Sequence, residues 1–176
     1  MEELKFPVGR YNAPAVFTKS ILENSISVIE QFPAKLKREV EGLTQEQLDT
    51  PYRPEGWTIR QVVNHCADSH ANALIRVKLA LTENSPVITA YVQDLWSELA
   101  DSKQMPIHPA LLTLEGLHAR WVVVLKSLSD TEWKKEFIHP EKGRALNLEE
   151  ATGSYAWHCE HHLAHITQLK KRMSWK

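Results

Sequence analysis

Apolar residues recur at near-helical spacings in four long stretches of the chain. The first runs from Phe17 to Leu43 on Ile21, Ile26, Ile29, Leu36, Val40 and Leu43. Pro33 falls inside it and is expected to kink or split the helix, because it lacks an N–H and clashes with the preceding turn. Thr44 and Gln47 have the spacing of a capping box and predict a short turn over Thr44–Asp49, followed by a loop over Pro51–Gly56. Thr58 and Gln61 form the same pattern at the start of the second helix, which Ile59, Val62, Val63, Cys66, Ala73, Val77 and Leu81 carry to about Glu83. The segment from Asn84 to Pro109 reads as irregular, with a helical turn around Leu95–Leu99. The third helix spans about Ala110 to Ser127, and a short turn follows at Asp130–Lys135. Phe137–Leu146 contains Pro140 and Gly143 and allows a small β-hairpin. Asn147 caps the fourth helix, with Leu148, Ala151, Tyr155, Ile166, Leu169 and Met173 expected to face inward. The first 14 residues, with Pro7, Gly9 and Pro14, read as an extended arm. The expected fold is therefore an all-α four-helix bundle with a long irregular connection, a setting in which metal sites form from side chains on facing helices.

Composition narrows the functions open to such a bundle. The 176 residues suit one domain over 1–176, long enough to bury a core without disulfides. A net charge of −1 gives no electrostatic footprint for nucleic acid. No apolar run approaches the ~20 residues needed to span a bilayer. The N-terminus begins acidic and lacks the apolar stretch of a secretory signal. Cys66 and Cys159 are far apart and read as free thiols of a reducing compartment. The expectation is a soluble cytoplasmic protein.

The histidines change the picture. There are nine, and His158, His161, His162 and His165 fall within eight residues, while His65 and His70 form a looser group. Imidazole is the commonest protein metal ligand. His161 and His165 are four apart, hence one turn apart on one helical face, but the glutamate of the His-Glu-x-x-His metalloprotease helix is replaced by His162. At ~100° per residue, periodicity puts His162 within the apolar stripe of the fourth helix, His158 and His165 at its margin and His161 further out. It thus slightly favours His158, His162 and His165. On the second helix it places His70 among the apolar residues and His65 at their edge.

Gly56-Trp57-Thr58, with His65 eight residues after the tryptophan, resembles the DinB-like superfamily. Trp157 through Thr167 resembles more narrowly its YfiT subfamily, whose members are assigned as metal-dependent hydrolases. Pro33-Ala34-Lys35-Leu36-Lys37, Leu48 through Arg53 and Trp96 through Leu99 extend the likeness over most of the chain. The resemblance implies a four-helix bundle, a homodimer and one divalent ion, Zn²⁺ or Ni²⁺, on three histidines. Carried over residue by residue, these are His65, His161 and His165, the set expected here. His158 has no assigned role. His70 and His162 read as packed rings or as donors that orient a ligand, and His108, His118 and His139 as surface or loop residues. Cys66 and Cys159 read as small buried hydrophobes, and Trp57, Trp121 and Trp157 as core or pocket wall. Asp68 and Glu160 read as exposed helix surface.

Three protein ligands leave a position for water, the pattern of catalytic zinc. The expected activity is metal-assisted hydrolysis of a small molecule. The alternatives are S-transfer from a low-molecular-weight thiol of the bacillithiol type, which the resemblance also supports and which needs no protein base, and a bundle whose metal is non-catalytic.

Overall fold

The four long helices are α2 (Lys19–Val40), α4 (Ile59–Thr82), α7 (His108–Lys126) and α9 (Leu148–Met173), in a computed structural model that describes residues 2–175, with Lys142 described by its backbone alone. Short helices fill the connections: α1 (Glu2–Lys5), α3 (Gln45–Leu48), α5 (Gln93–Trp96), α6 (Ala100–Gln104) and α8 (Asp130–Trp133). The strongest packing runs around a ring, with α2 against α7 and α9, and α4 likewise against α7 and α9. Helices consecutive among the long four, α2 and α4 or α7 and α9, therefore lie across the bundle from each other. The long connections between them make this order possible.

Local chemistry starts these helices where the pattern predicts. Thr58 accepts from the Gln61 N–H, and the Gln61 side chain returns to the Thr58 N–H at 2.9 Å. Thr44 with Gln47 and Ser129 with Glu132 repeat the device at α3 and α8. Asn147 accepts from the Glu150 N–H at 2.8 Å. The predicted hairpin is present as β1 (Glu136–His139) and β2 (Arg144–Asn147), antiparallel, with Phe137 opposite Leu146 and both buried. Gly143, at φ +61°, supplies the left-handed residue of its tight connection. The irregular segment is tied to this hairpin, Ile138 donating to the Pro86 carbonyl and Ile88 donating to that of Ile138.

Four expectations need correction. The arm is not extended throughout, since Glu2–Lys5 forms a helical turn; Met1 lies outside the described residues. Pro33 does not split α2, which continues through it to Val40. What Pro33 removes is the N–H that would have bonded the Ile29 carbonyl, because a helical carbonyl is satisfied four residues on. Met173 is half exposed rather than inward, lying in the last turn of α9. His118 is a core residue, 2% exposed, and not a surface one.

One buried cation braces the end of the bundle. Arg60, 3% exposed, donates to Asp49 at 2.7 Å, to the Gln45 side chain at 2.7 Å and to the Met105 carbonyl at 2.9 Å. It thereby joins α3, α4 and the segment before α7. Hydrogen bonds to a charged group contribute ~1.5–3 kcal/mol each when buried, less where the partner reaches water as Asp49 does. Arg60→Ala is expected to lower unfolding free energy by about 2–3 kcal/mol in a urea titration. A loss under about 0.5 kcal/mol would assign the bracing elsewhere.

Candidate metal centre

The middle of α4 and the middle of α9 carry the histidines. Along α9 the buried residues Ala151, Thr152, Ala156, Cys159, His162, Ile166 and Leu169 turn toward the bundle, and His158 precedes His162 by one turn. On α4, His65 is 4% exposed and His70 is fully buried. His65, His158, His161, His162 and His165 line one cavity of about 940 Å³, whose walls include Trp57, Trp157 and Arg53.

The five rings are not equivalent. The Nε2 atoms of His65 and His158 lie 3.2 Å apart. Two imidazoles bound to one tetrahedral ion at ~2.0–2.1 Å would hold their nitrogens ~3.3 Å apart, so this spacing fits a shared cation. Among the described residues, His65, His158 and His162 each bring a ring nitrogen within 4.8 Å of the others, and so do His161, His162 and His165. The expected trio is divided between these sets: His65 belongs to one, His161 and His165 to the other, and His162 to both. His161 and His165 meet each other, their ring centroids 4.3 Å apart.

Hydrogen bonds further separate them. His165 faces the Lys5 carbonyl with Nε2 at 3.2 Å and His162 with Nδ1 at 3.4 Å. A carbonyl only accepts, so His165 must donate from Nε2, and its Nδ1 then accepts from His162 Nδ1–H. That leaves His162 Nε2 with a free lone pair. Tyr52 stacks on His165 with centroids 3.8 Å apart, and Trp157 stacks on His161 at 4.4 Å. The Nδ1 of His161 is buried without a hydrogen-bond partner.

Electrostatics favour ligands ready for a cation. Burial holds the His65 pKa down at about 4, helped by nearby His161, and burial likewise holds His161 at about 4 and His165 at about 3. Burial and neighbouring imidazoles push His158 and His162 well below the ordinary histidine range. All five are neutral at pH 7, the state in which imidazole binds metal. The thiols behave oppositely: burial raises both Cys66 and Cys159 above the usual range, and neither joins the converging histidine groups. Glu160 is exposed, while Asp68 is half buried and its carboxyl is raised to about 6 by burial and by Asp101.

A family model described as the DinB superfamily matches residues 29–166. The chain belongs to the DinB superfamily. Within it, YfiT of Bacillus subtilis is 48% identical over 172 residues, covering 98% of this chain and 97% of that protein. A Bacillus mycoides relative is 47% identical over 175 residues, covering 99% of this chain and all of its own length. Both are provisionally named metal-dependent hydrolases. The solved structure of YfiT, described as a probable metal-dependent hydrolase with an unusual four-helix bundle topology, covers 99% of both chains at a TM-score of 0.96. The mycothiol-dependent maleylpyruvate isomerase shares the fold at a TM-score of 0.60 and 18% identity, over 80% of this chain and 60% of its own. Among the described residues of this DinB protein, no helix is long and apolar enough to cross a membrane.

Sequence reasoning gave His158 no role and placed His118 at the surface. His158 was legible in part, since it stands four residues before His162 at the margin of the apolar stripe. His118 continues the spacing of Leu114, Trp121 and Leu125, all buried, and that periodicity marks it as a core position.

Proposed function

We propose that this protein holds one divalent ion, Zn²⁺ or Ni²⁺, between α4 and α9 and uses it to hydrolyse a small molecule. The observation that carries this reading is the 3.2 Å approach of the His65 and His158 Nε2 atoms, with His162 completing a neutral trio. Imidazole suits both metals. The reading keeps His65 from the set implied by the family resemblance and replaces His161 and His165 with His158 and His162. His165 then orients His162 from the Lys5 carbonyl, and His161 lines the cavity beside the site. A divalent ion on three imidazoles supplies Lewis acidity, polarising a substrate oxygen or lowering the pKa of a coordinated water toward ~7. Trp57 and Trp157 exclude bulk water from one side, and Arg53 offers a cation to an anionic portion of the substrate. The protein is cytoplasmic and homodimeric in this reading, as sequence and resemblance respectively imply.

The size of the cavity favours one alternative. About 940 Å³ is near the upper end of ordinary small-molecule sites and has room for two reactants. A low-molecular-weight thiol could be the nucleophile there, since coordination to zinc deprotonates a thiol and both protein thiols are buried and protonated.

Competition with a chromophoric chelator tests the ligand set. His65→Ala, His158→Ala and His162→Ala are each expected to weaken Zn²⁺ binding by more than about 100-fold, since loss of an orienting partner alone costs ~10–100-fold. His161→Ala should stay within about tenfold of the parent. Tight binding in His158→Ala and His162→Ala, with loss in His161→Ala and His165→Ala, would restore the set implied by the resemblance. Zn²⁺-loaded protein assayed on esters, amides and phosphoesters, with and without added thiol, separates the reactions; turnover only with thiol would reject hydrolysis.

A further inference from the structure

A second cavity, of about 400 Å³, adjoins the candidate centre, and His158, Gln93 and Asp94 stand in the walls of both. Two helices give it a stripe each. Ser69 and Arg76 are seven apart on α4, and Ala151, Tyr155 and His158 follow at steps of four and three on α9, spacings that keep side chains on one helical face. Phe137 and Leu146 of the hairpin, both buried, supply an apolar wall. Tyr91 enters from the connection between α4 and α7.

The charges in this cavity are unopposed. Arg76 is half-buried, and its bonds go to neutral groups: Nη1 donates to the Tyr155 hydroxyl at 3.2 Å and Nη2 to the Thr89 carbonyl at 3.4 Å. Each terminal nitrogen of a guanidinium carries two N–H groups, so one remains on each. Burial raises the hydroxyl of Tyr91 to about 12 and that of Tyr155 above its ordinary value, so no phenolate answers the guanidinium. Other shielded cations are paired, Arg60 with Asp49 and Lys170 with Glu39. Among the described residues no carboxylate forms an ion pair with Arg76. Asp94 and Glu141 also line the cavity, both exposed and likewise without an ion pair among the described residues.

A cation and two acids that share a cavity without meeting are complementary to a ligand carrying both charges. The acids oppose a phosphate or other polyanion. A single carboxylate suits Arg76, whose planar fork can hold it through two parallel hydrogen bonds. The volume is near the lower end of small-molecule sites, which suits one end of a ligand. We propose that this cavity is a binding subsite for the zwitterionic, amino-acid-type end of a small molecule, with Arg76 on its carboxylate and Asp94 and Glu141 on its ammonium. The rest of such a molecule extends past the shared wall to the candidate centre. That link rests on the proposed function; the binding itself does not, and it needs no metal.

Binding is measured on metal-free protein by ¹H–¹⁵N NMR with three matched probes. L-Norvaline carries both charges, pentanoate lacks the amine and butylamine lacks the carboxylate. L-Norvaline is expected to bind about three- to fivefold more tightly than pentanoate, the scale of exposed ion pairs, and to shift the signals of Arg76, Tyr91 and Tyr155. Arg76→Gln should weaken both carboxylates about tenfold or more. Asp94→Asn combined with Glu141→Gln should reduce L-norvaline to the affinity of pentanoate. Equal wild-type affinity for L-norvaline and pentanoate, preference for inorganic phosphate, or no response to millimolar L-norvaline would overturn the proposal. Should Arg76→Gln fail to fold, the ranking of probes on the wild-type protein still decides. Zn²⁺ uptake without L-norvaline binding removes the subsite alone; L-norvaline binding without Zn²⁺ uptake leaves the subsite and removes the metal.

Discussion

Between about pH 6.5 and pH 4, the metal-free protein is expected to lose most of its stability. Burial holds His65 and His118 at about 4 in the folded chain, and His70 well below its ordinary value. The unfolded chain takes up these protons near the ordinary histidine value of 6.5. Above that pH both states are neutral and stability is fully present. As pH falls through the window, the unfolded state alone gains protons, so stability falls, and for His65 and His118 the decline ends near 4, where the folded rings also charge. Each such histidine contributes ~1.4 kcal/mol per pH unit within the window. His65, His70 and His118 together give a slope of ~4 kcal/mol per unit, against a total stability of ~5–15 kcal/mol for a typical domain. Urea midpoints at pH 7.5, 6.0 and 5.0 measure the effect. A midpoint at pH 5.0 equal to that at 7.5 would mean that these rings are hydrated rather than buried. Bound metal should add stability at pH 7.5 and release as pH falls, since its ligands must be unprotonated.

The second large effect is expected at Phe32, where packing and the site meet. Its ring is 1% exposed and lies between α2 and the His70–His118 pair. Phe32→Ala removes the ring and leaves a cavity, for which ~3–5 kcal/mol is typical. Water entering that space would compete for the 2.8 Å His118–His70 hydrogen bond and add to the loss. Phe32→Leu, which refills most of the volume, should cost about 1–2 kcal/mol. Calorimetry of the metal-free variants measures both losses. A loss below about 1 kcal/mol in Phe32→Ala would show that the core closes over the gap.

What was legible along the chain was local. Thr58 with Gln61 and Thr44 with Gln47 start helices through bonds spanning three residues, and those bonds are present. Gly143 with Pro140 marks a turn for the same reason, and the hairpin forms around it. The histidine-rich helix and the bundle class also follow from periodicity, because a helix buries one face whatever it meets. Periodicity failed at Met173, where the helix runs into its exposed last turn.

The arrangement of the site belongs to the tertiary structure. A helical wheel ranks His158, His161, His162 and His165 by distance from one stripe, but it contains no information on which of them an imidazole from α4 approaches. The 3.2 Å contact of His158 with His65 depends on how α4 and α9 are packed side by side. Lys5 reaching His165, and Ile29 reaching His118, span 160 and 89 residues respectively. Pro33 shows the division most clearly. Its sequence announces a missing N–H, which is a property of one residue; that the freed carbonyl meets a histidine from another helix is decided only when α2 and α7 pack.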